Sequence, residues 1–322
     1  MITLVKSSSH SCLRKAFCCL IAFALCFTIF ADNKSSFKKI INRFEALPEY
    51  YLEQDMRWYS NYKNEEFKES FLVSGNTEFE AMFVSYEKRF FLGAIYSNYI
   101  GMGRQNASIL FSPRDVNYTL KPFFEFRHNR ISYQTGLDHR CFHQVDRKER
   151  ETPYWNVPYL RIASGNYRYQ LQRKQLLESN RWDFFDRIAW LFEIGYFVRE
   201  FGNMDKSLLN GFHPWGSSAK FDARYYFLKS KSWLIGARHK TSLYCDTAGV
   251  PYWSGELELS ADVYSRKHAL GFFINYNYEF PRLMPMYDPT EYSKSTGLSG
   301  PKRLMPLFSK DRLVEFGVRW RL

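Results

Sequence analysis

Past Phe30 the chain has no apolar run that reaches the ~18 residues a transmembrane helix needs, so a spanning helix is excluded there and only the N-terminal run, itself short for one, could serve as a signal or a retained anchor. Cysteine is also scarce. Four of the six, Cys12, Cys18, Cys19 and Cys26, fall close to the N-terminus. Only Cys141 and Cys245 remain, each near the end of a predicted strand, so geometry allows one disulfide between them. Lysine and arginine outnumber the acids 45 to 33, for a formal net charge of +12, yet no basic run or nucleic-acid-binding motif accompanies the excess. Nucleic acid is therefore set aside as a partner. Anionic lipid head groups are the more economical counterpart. No internal repeat or low-complexity tract divides the chain, and one domain suffices after the N-terminal segments.

What the sequence does have is alternation. Leu257, Leu259, Ala261 and Val263 take one parity, and Glu256, Glu258, Ser260 and Asp262 take the other. After a polar turn at 266–268, Leu270, Phe272, Ile274, Tyr276, Tyr278 and Phe280 share one face, while Gly271, Asn275, Asn277 and Glu279 share the opposite one. A period of two is a β-strand with one apolar face. The two ends of the chain suggest where that face points. Lys6, Arg14 and Lys15 precede the apolar stretch Phe17 to Phe30, the pattern of a secretory signal peptide over residues 1–31. At the other end Val314, Phe316, Val318, Trp320 and Leu322 share a face, like the closing strand of an outer-membrane barrel.

These features predict an all-β fold, a transmembrane antiparallel β-barrel of about 12 strands in the cell outer membrane. Aromatic residues make up 19% of the chain, as two interfacial girdles require. Candidate strands lie near 78–86, 89–99, 106–112, 117–128, 130–140, 154–168, 187–199, 218–228, 232–245, 252–264, 268–280 and 312–322. The barrel is expected over residues 76–322. Residues 32–75 are expected to be a short helical or irregular periplasmic or plug segment, because Phe37, Ile40, Ile41 and Phe44 fall at helical spacing. Short turns at 128–130, 228–231 and 265–268 and long stretches at 141–153, 200–216 and 281–311 mark the two ends of a barrel. Inward acids such as Glu256, Glu258 and Asp262, facing Lys220, Arg224, Arg238 and Arg319, are expected to form ion-pair ladders in a narrow lumen.

One segment concentrates chemistry. It runs Gly136-Leu137-Asp138-His139-Arg140-Cys141-Phe142-His143-Gln144-Val145-Asp146 and is followed by Trp155-Asn156-Val157-Pro158-Tyr159-Leu160-Arg161. Ile131, Tyr133, Thr135 and Leu137 form the outward face of their strand, and the same register sends His139 and Cys141 outward. Leu160 and Ile162 do the same for Asn156. Polar groups on a lipid-facing surface are costly, and a site acting on lipid would justify them. A thiol beside an imidazole base, with a third group fixing the ring, is the requirement for nucleophilic catalysis.

Here the chain resembles outer-membrane phospholipase A. That family carries a Gly-aromatic-Asn-His-x-Ser strand end and then Trp-Asn-x-x-Tyr-x-Arg on the next strand. The resemblance implies a twelve-stranded barrel with His139 as base, Cys141 in the nucleophile's place and Asn156 as orienter. It also implies membrane phospholipid as substrate, calcium as cofactor and a homodimer. Cysteine stands where the family has serine. Two other readings compete. His139, Cys141, His143 and Asp146 are all metal-ligand types, which makes His143 and Asp146 candidate ligands. Alternatively, the protein is a non-catalytic narrow pore or structural surface barrel, its polar residues belonging to the interfacial belt.

Overall fold

The computed structural model describes residues 43–60, 73–103, 112–144, 154–165, 167, 184–198, 215–230, 232–246, 249, 251–265, 268–278, 280–282, 307–309 and 313–322. Twelve strands close into one antiparallel barrel. They are β1 (Phe44–Ser60), β2 (Val73–Tyr86), β3 (Phe90–Gly103), β4 (Ser112–His128), β5 (Ile131–Gln144), β6 (Tyr154–Ser164), β7 (Ile188–Tyr196), β8 (Trp215–Lys229), β9 (Trp233–Asp246), β10 (Pro251–Tyr264), β11 (Ala269–Tyr278) and, after a short ribbon, β14 (Leu313–Arg321). The ribbon pairs β12 (Phe280–Arg282) with β13 (Leu307–Ser309). Neighbours in sequence are neighbours in the sheet, and β1 pairs with both β2 and β14 to complete the ring. No described helix is long and apolar enough to cross a membrane.

The alternation read from the sequence sets the two faces. Leu257, Leu259, Phe272 and Ile274 stand exposed on the outside, while Glu258, Asp262, Asn275 and Asn277 are buried inside. An apolar exterior around a polar interior is the reverse of a soluble sandwich and suits a lipid-embedded barrel. Rings ornament both rims. Phe44, Tyr86, Phe90, Phe126 and Tyr133 form a chain of ring contacts at one end, and Trp253, Tyr276 and Tyr278 a smaller group at the other.

Connections at the first end are short. Between β2 and β3, Glu87 and Lys88 take φ of 53° and 54°, and Arg89 N–H donates to the Tyr86 carbonyl at 3.1 Å. Two successive positive φ angles match the right-handed strand twist of a tight hairpin. Asn129, at φ 54°, turns β4 into β5. The long stretches expected at 141–153, 200–216 and 281–311 include connections at the opposite end, between β5 and β6, β7 and β8, and β11 and β14. One connection breaks the pattern. Residues 165–187 join β6 to β7 at the short-turn end and carry the single-turn helix α1 (Phe184–Arg187).

One expectation needs correction. The segment 32–75 is not wholly a plug, because its residues 44–60 form β1, a full wall strand. Its inward side chains, Glu53, Asp55 and Arg57, are satisfied by ion pairs inside the lumen, which is why a charged stretch can be a wall strand. The strand expected at 106–112 lies outside the described residues except for Ser112, the first residue of β4. Twelve strands close the barrel, β1 among them. The signal expected at 1–31, and Phe37, Ile40 and Ile41, lie outside the described residues.

Candidate functional site

β5 and β6 pair in a continuous antiparallel register that sets His139 opposite Asn156 and Cys141 opposite Tyr154. Tyr133, Leu137, Leu160 and Ile162 are exposed and share the parity of His139 and Asn156. The predicted outward placement of both residues is therefore what the fold gives. Each is half-buried, held between the exposed neighbours of its own strand. The two side chains meet, His139 Nδ1 lying 2.8 Å from Asn156 Oδ1. An amide oxygen only accepts, so this contact fixes the tautomer: Nδ1 carries the hydrogen and donates it. Nε2 is left as the basic nitrogen. This is the relation an orienting residue must have to a general base.

Cys141 lies two residues beyond His139 on the same face, half-buried, with Tyr118 of β4 beside it in register. It is a free thiol, as is Cys245. The disulfide that the sequence allowed is therefore not formed. Cys141 is on β5 and Cys245 on β9, with three strands between them.

The strands are locally shaped around this pair. Pro122 of β4 has no N–H to give to the ladder, and the β4–β5 pairing skips from Leu120↔His139 to Phe123↔Gly136. β4 comes close to β5 at the next step. A Cβ on Gly136 would stand 2.1 Å from the Pro122 carbonyl oxygen and 2.9 Å from Phe123 Cα, so only glycine fits.

Behind the site, on the lumen face, Asp138 is buried and bound by Arg140 at 2.9 and 3.0 Å and by Lys121 at 2.9 Å. Glu193 of β7 receives Lys121, Lys220 and Arg161. Arg161, a motif residue by resemblance, thus works inside the barrel. Sequence reasoning missed Lys121, Pro122 and Glu193. The signal for Lys121 and Glu193 was available, since both carry charge at inward parity between apolar outward neighbours.

His143 is opposite Val116 in the β4–β5 register, and Asp146 lies outside the described residues. Among the described residues no group of three or more His, Cys, Asp or Glu side chains is gathered to hold a metal ion.

Comparison with known proteins yields no match to any protein-family model and none to a curated protein sequence. Solved structures of the same general fold do match. Outer membrane phospholipase A from Escherichia coli is 13% identical over 84% of this chain and 89% of its own, with a TM-score of 0.43. The Salmonella typhi outer membrane phospholipase dimer with bound calcium is 14% identical over 84% and 90%, at 0.42. The NanC porin is 10% identical over 83% and 98%, at 0.42.

Proposed function

We propose that the protein is a lipid-facing acyl hydrolase of the outer membrane, with Cys141 as nucleophile, His139 as general base and Asn156 as the residue that orients the ring. The observation that carries the reading is the 2.8 Å contact between His139 Nδ1 and Asn156 Oδ1 on the outer surface of the barrel. A histidine and an asparagine facing hydrocarbon are expensive unless they satisfy each other. Mutual satisfaction explains why the pair is tolerated, and the thiol two residues away on the same face gives it work. Cys–His–Asn constellations serve as nucleophilic triads on unrelated folds.

Depth suits a lipid ester. With strands tilted about 40°, the eight residues from Ile131 to His139 rise roughly 20 Å. That is close to the far edge of an apolar band about 25 Å tall, where glycerol esters of the outer leaflet lie.

The chemistry follows from the tautomer. His139 Nε2 takes the proton of the Cys141 thiol, and Sγ attacks the ester carbonyl carbon. The tetrahedral intermediate collapses by breaking the carbon–oxygen bond, and Nε2–H returns its proton to the departing lysolipid oxygen. The acyl group is left as a thioester on Cys141. Nε2 then deprotonates a water, which attacks the thioester and releases fatty acid with the thiol restored. Nδ1–H stays on Asn156 Oδ1 throughout and holds the ring in plane. Calcium, the cofactor that the resemblance implies, would supply positive charge against the developing oxyanion. Among the described residues no group of three or more His, Cys, Asp or Glu side chains is gathered to hold it, and no step is routed through it.

The test is release of fatty acid from phospholipid by the purified chain refolded in detergent, with and without calcium. We expect activity in the wild type and none above background in Cys141→Ala or His139→Ala. A folded, heat-modifiable wild type that releases nothing under either condition would leave a non-catalytic barrel.

A further inference from the structure

The lumen is not solid. The ion-pair ladders leave a cavity of about 910 Å³ running from the short-turn rim, at Asn129, Arg130 and Asp186, up to the level of Arg140 and Ser242. A smaller space of about 90 Å³ adjoins it between β1–β2 and β8–β9, sharing Glu78, Glu80, Tyr167 and Arg238 in its lining.

The charges around the larger cavity are unevenly matched. Arg161 spends Nε and Nη2 on Glu193, at 2.9 and 2.6 Å. Arg238 spends the same two groups on Asp222, Nε lying at 2.8 and 3.1 Å. A guanidinium has five N–H donors, and the Nη1 group of each arginine has no hydrogen bond to a described residue. On the facing wall stands Glu78 of β2, half-buried, lining the same cavity and forming no ion pair with a described residue. A carboxylate on one side and unspent guanidinium donors on the other, with an empty polar volume between them, set up a field across the lumen.

We propose that this cavity binds small zwitterionic solutes. The ammonium end of such a solute lies toward Glu78 and its carboxylate toward Nη1 of Arg161 and Arg238. A neutral solute gains nothing from a transverse field, and a purely anionic or cationic one meets a like charge on one wall. A zwitterion aligned with the field satisfies both. The volume is within the range of small-molecule sites. Tyr167, from the connection between β6 and β7, also lines the cavity, its hydroxyl donating to Asp222 Oδ2 at 2.8 Å. The inference is independent of the acyl-hydrolase reading, which concerns the opposite face of the wall.

Isothermal titration of the full refolded chain in detergent, at low salt, tests it with glycine, glycylglycine and triglycine as probes. Each is compared with its N-acetylated form, which lacks the ammonium, and its C-terminal amide, which lacks the carboxylate. We expect at least one free peptide or glycine to bind, both capped forms to bind about tenfold more weakly or worse, and Glu78→Gln to lose the advantage of the free amine. No probe binding better than its capped counterparts would overturn the proposal, and so would undiminished preference in Glu78→Gln. If that variant does not refold, the comparison of free and capped probes on the wild type decides alone.

Discussion

His139 and Asn156 face each other because antiparallel register pairs them directly and strand parity sends both outward. Neither could shift by one residue without moving every side chain of its strand to the wrong face. In the proposed mechanism Asn156 holds the ring by accepting from Nδ1–H and performs no proton transfer. Asn156→Ala therefore leaves the base and nucleophile present but frees the ring to rotate and change tautomer. We expect kcat for phospholipid acyl release to fall by about tenfold or more with KM little changed, and His139→Ala to fall further. Equal turnover in Asn156→Ala and wild type would remove Asn156 from the site. The placement of His139, Cys141 and Asn156 on one face was readable from parity alone. The contact between His139 and Asn156 needed the pairing register, which turn lengths fix and residue types do not announce. The free state of Cys141 and Cys245 needed the sheet order, because proximity to strand ends says nothing about how many strands separate them.

At the scale of the strand, the approach of β4 to β5 beneath the site depends on Gly136 having no side chain. The backbone of Pro122 and Phe123 occupies the space a Cβ would need, and backbone cannot swing aside as a flexible side chain can. Gly136→Ala should force the two strands apart at this step, lowering stability by about 1 to 3 kcal/mol in urea unfolding from lipid vesicles. It should also lower acyl release at temperatures where the protein stays folded, since His139 is three residues on. Unchanged stability would mean the strands are less closely held than the geometry indicates. Elements with clean alternation, such as β7, β10 and β11, were legible within a few residues of their ends. β1 was not. Its inward face carries Glu49, Tyr51, Glu53, Asp55 and Arg57, its outward face includes Gln54, and its register shifts between Ala46 and Glu49. Apolar residues at helical spacing just before it pointed elsewhere. A strand whose inner face is paid for by ion pairs from β10 and β14 carries no sign of that compensation in its own residues.

For the molecule as a whole, closure and lumen chemistry are one problem. β14 completes the ring between β11 and β1, and its inward arginines pair with acids on the adjacent β1 and, past β11, on β10. Arg319, 1% exposed, binds Glu258 of β10, and Arg321 binds Glu53 of β1 at 2.8 Å and Asp262 of β10 at 3.0 Å. Removing one member strands the other in a buried site. Arg319→Met or Glu258→Gln alone should destabilise the folded barrel by about 3 to 5 kcal/mol, and the double variant by clearly less than the sum. Additive effects in vesicle unfolding would show that the two charges are solvated rather than paired. A separate network, Asp138 with Arg140 and Lys121 and Lys121 with Glu193, occupies the lumen side of the wall behind His139 and Asn156, so the proposed site is mounted on paired strands and not on a loop.

The most direct test of the central claim is to look for the acyl-enzyme. The refolded wild-type chain would be mixed with phospholipid, quenched in acid within the first turnovers, digested and weighed by mass spectrometry. The account predicts that the peptide containing Cys141 gains the mass of one fatty acyl group as a thioester, and that the gain is absent in His139→Ala. An unmodified Cys141 peptide in a preparation that is releasing fatty acid would contradict the assignment of Cys141 as the nucleophile.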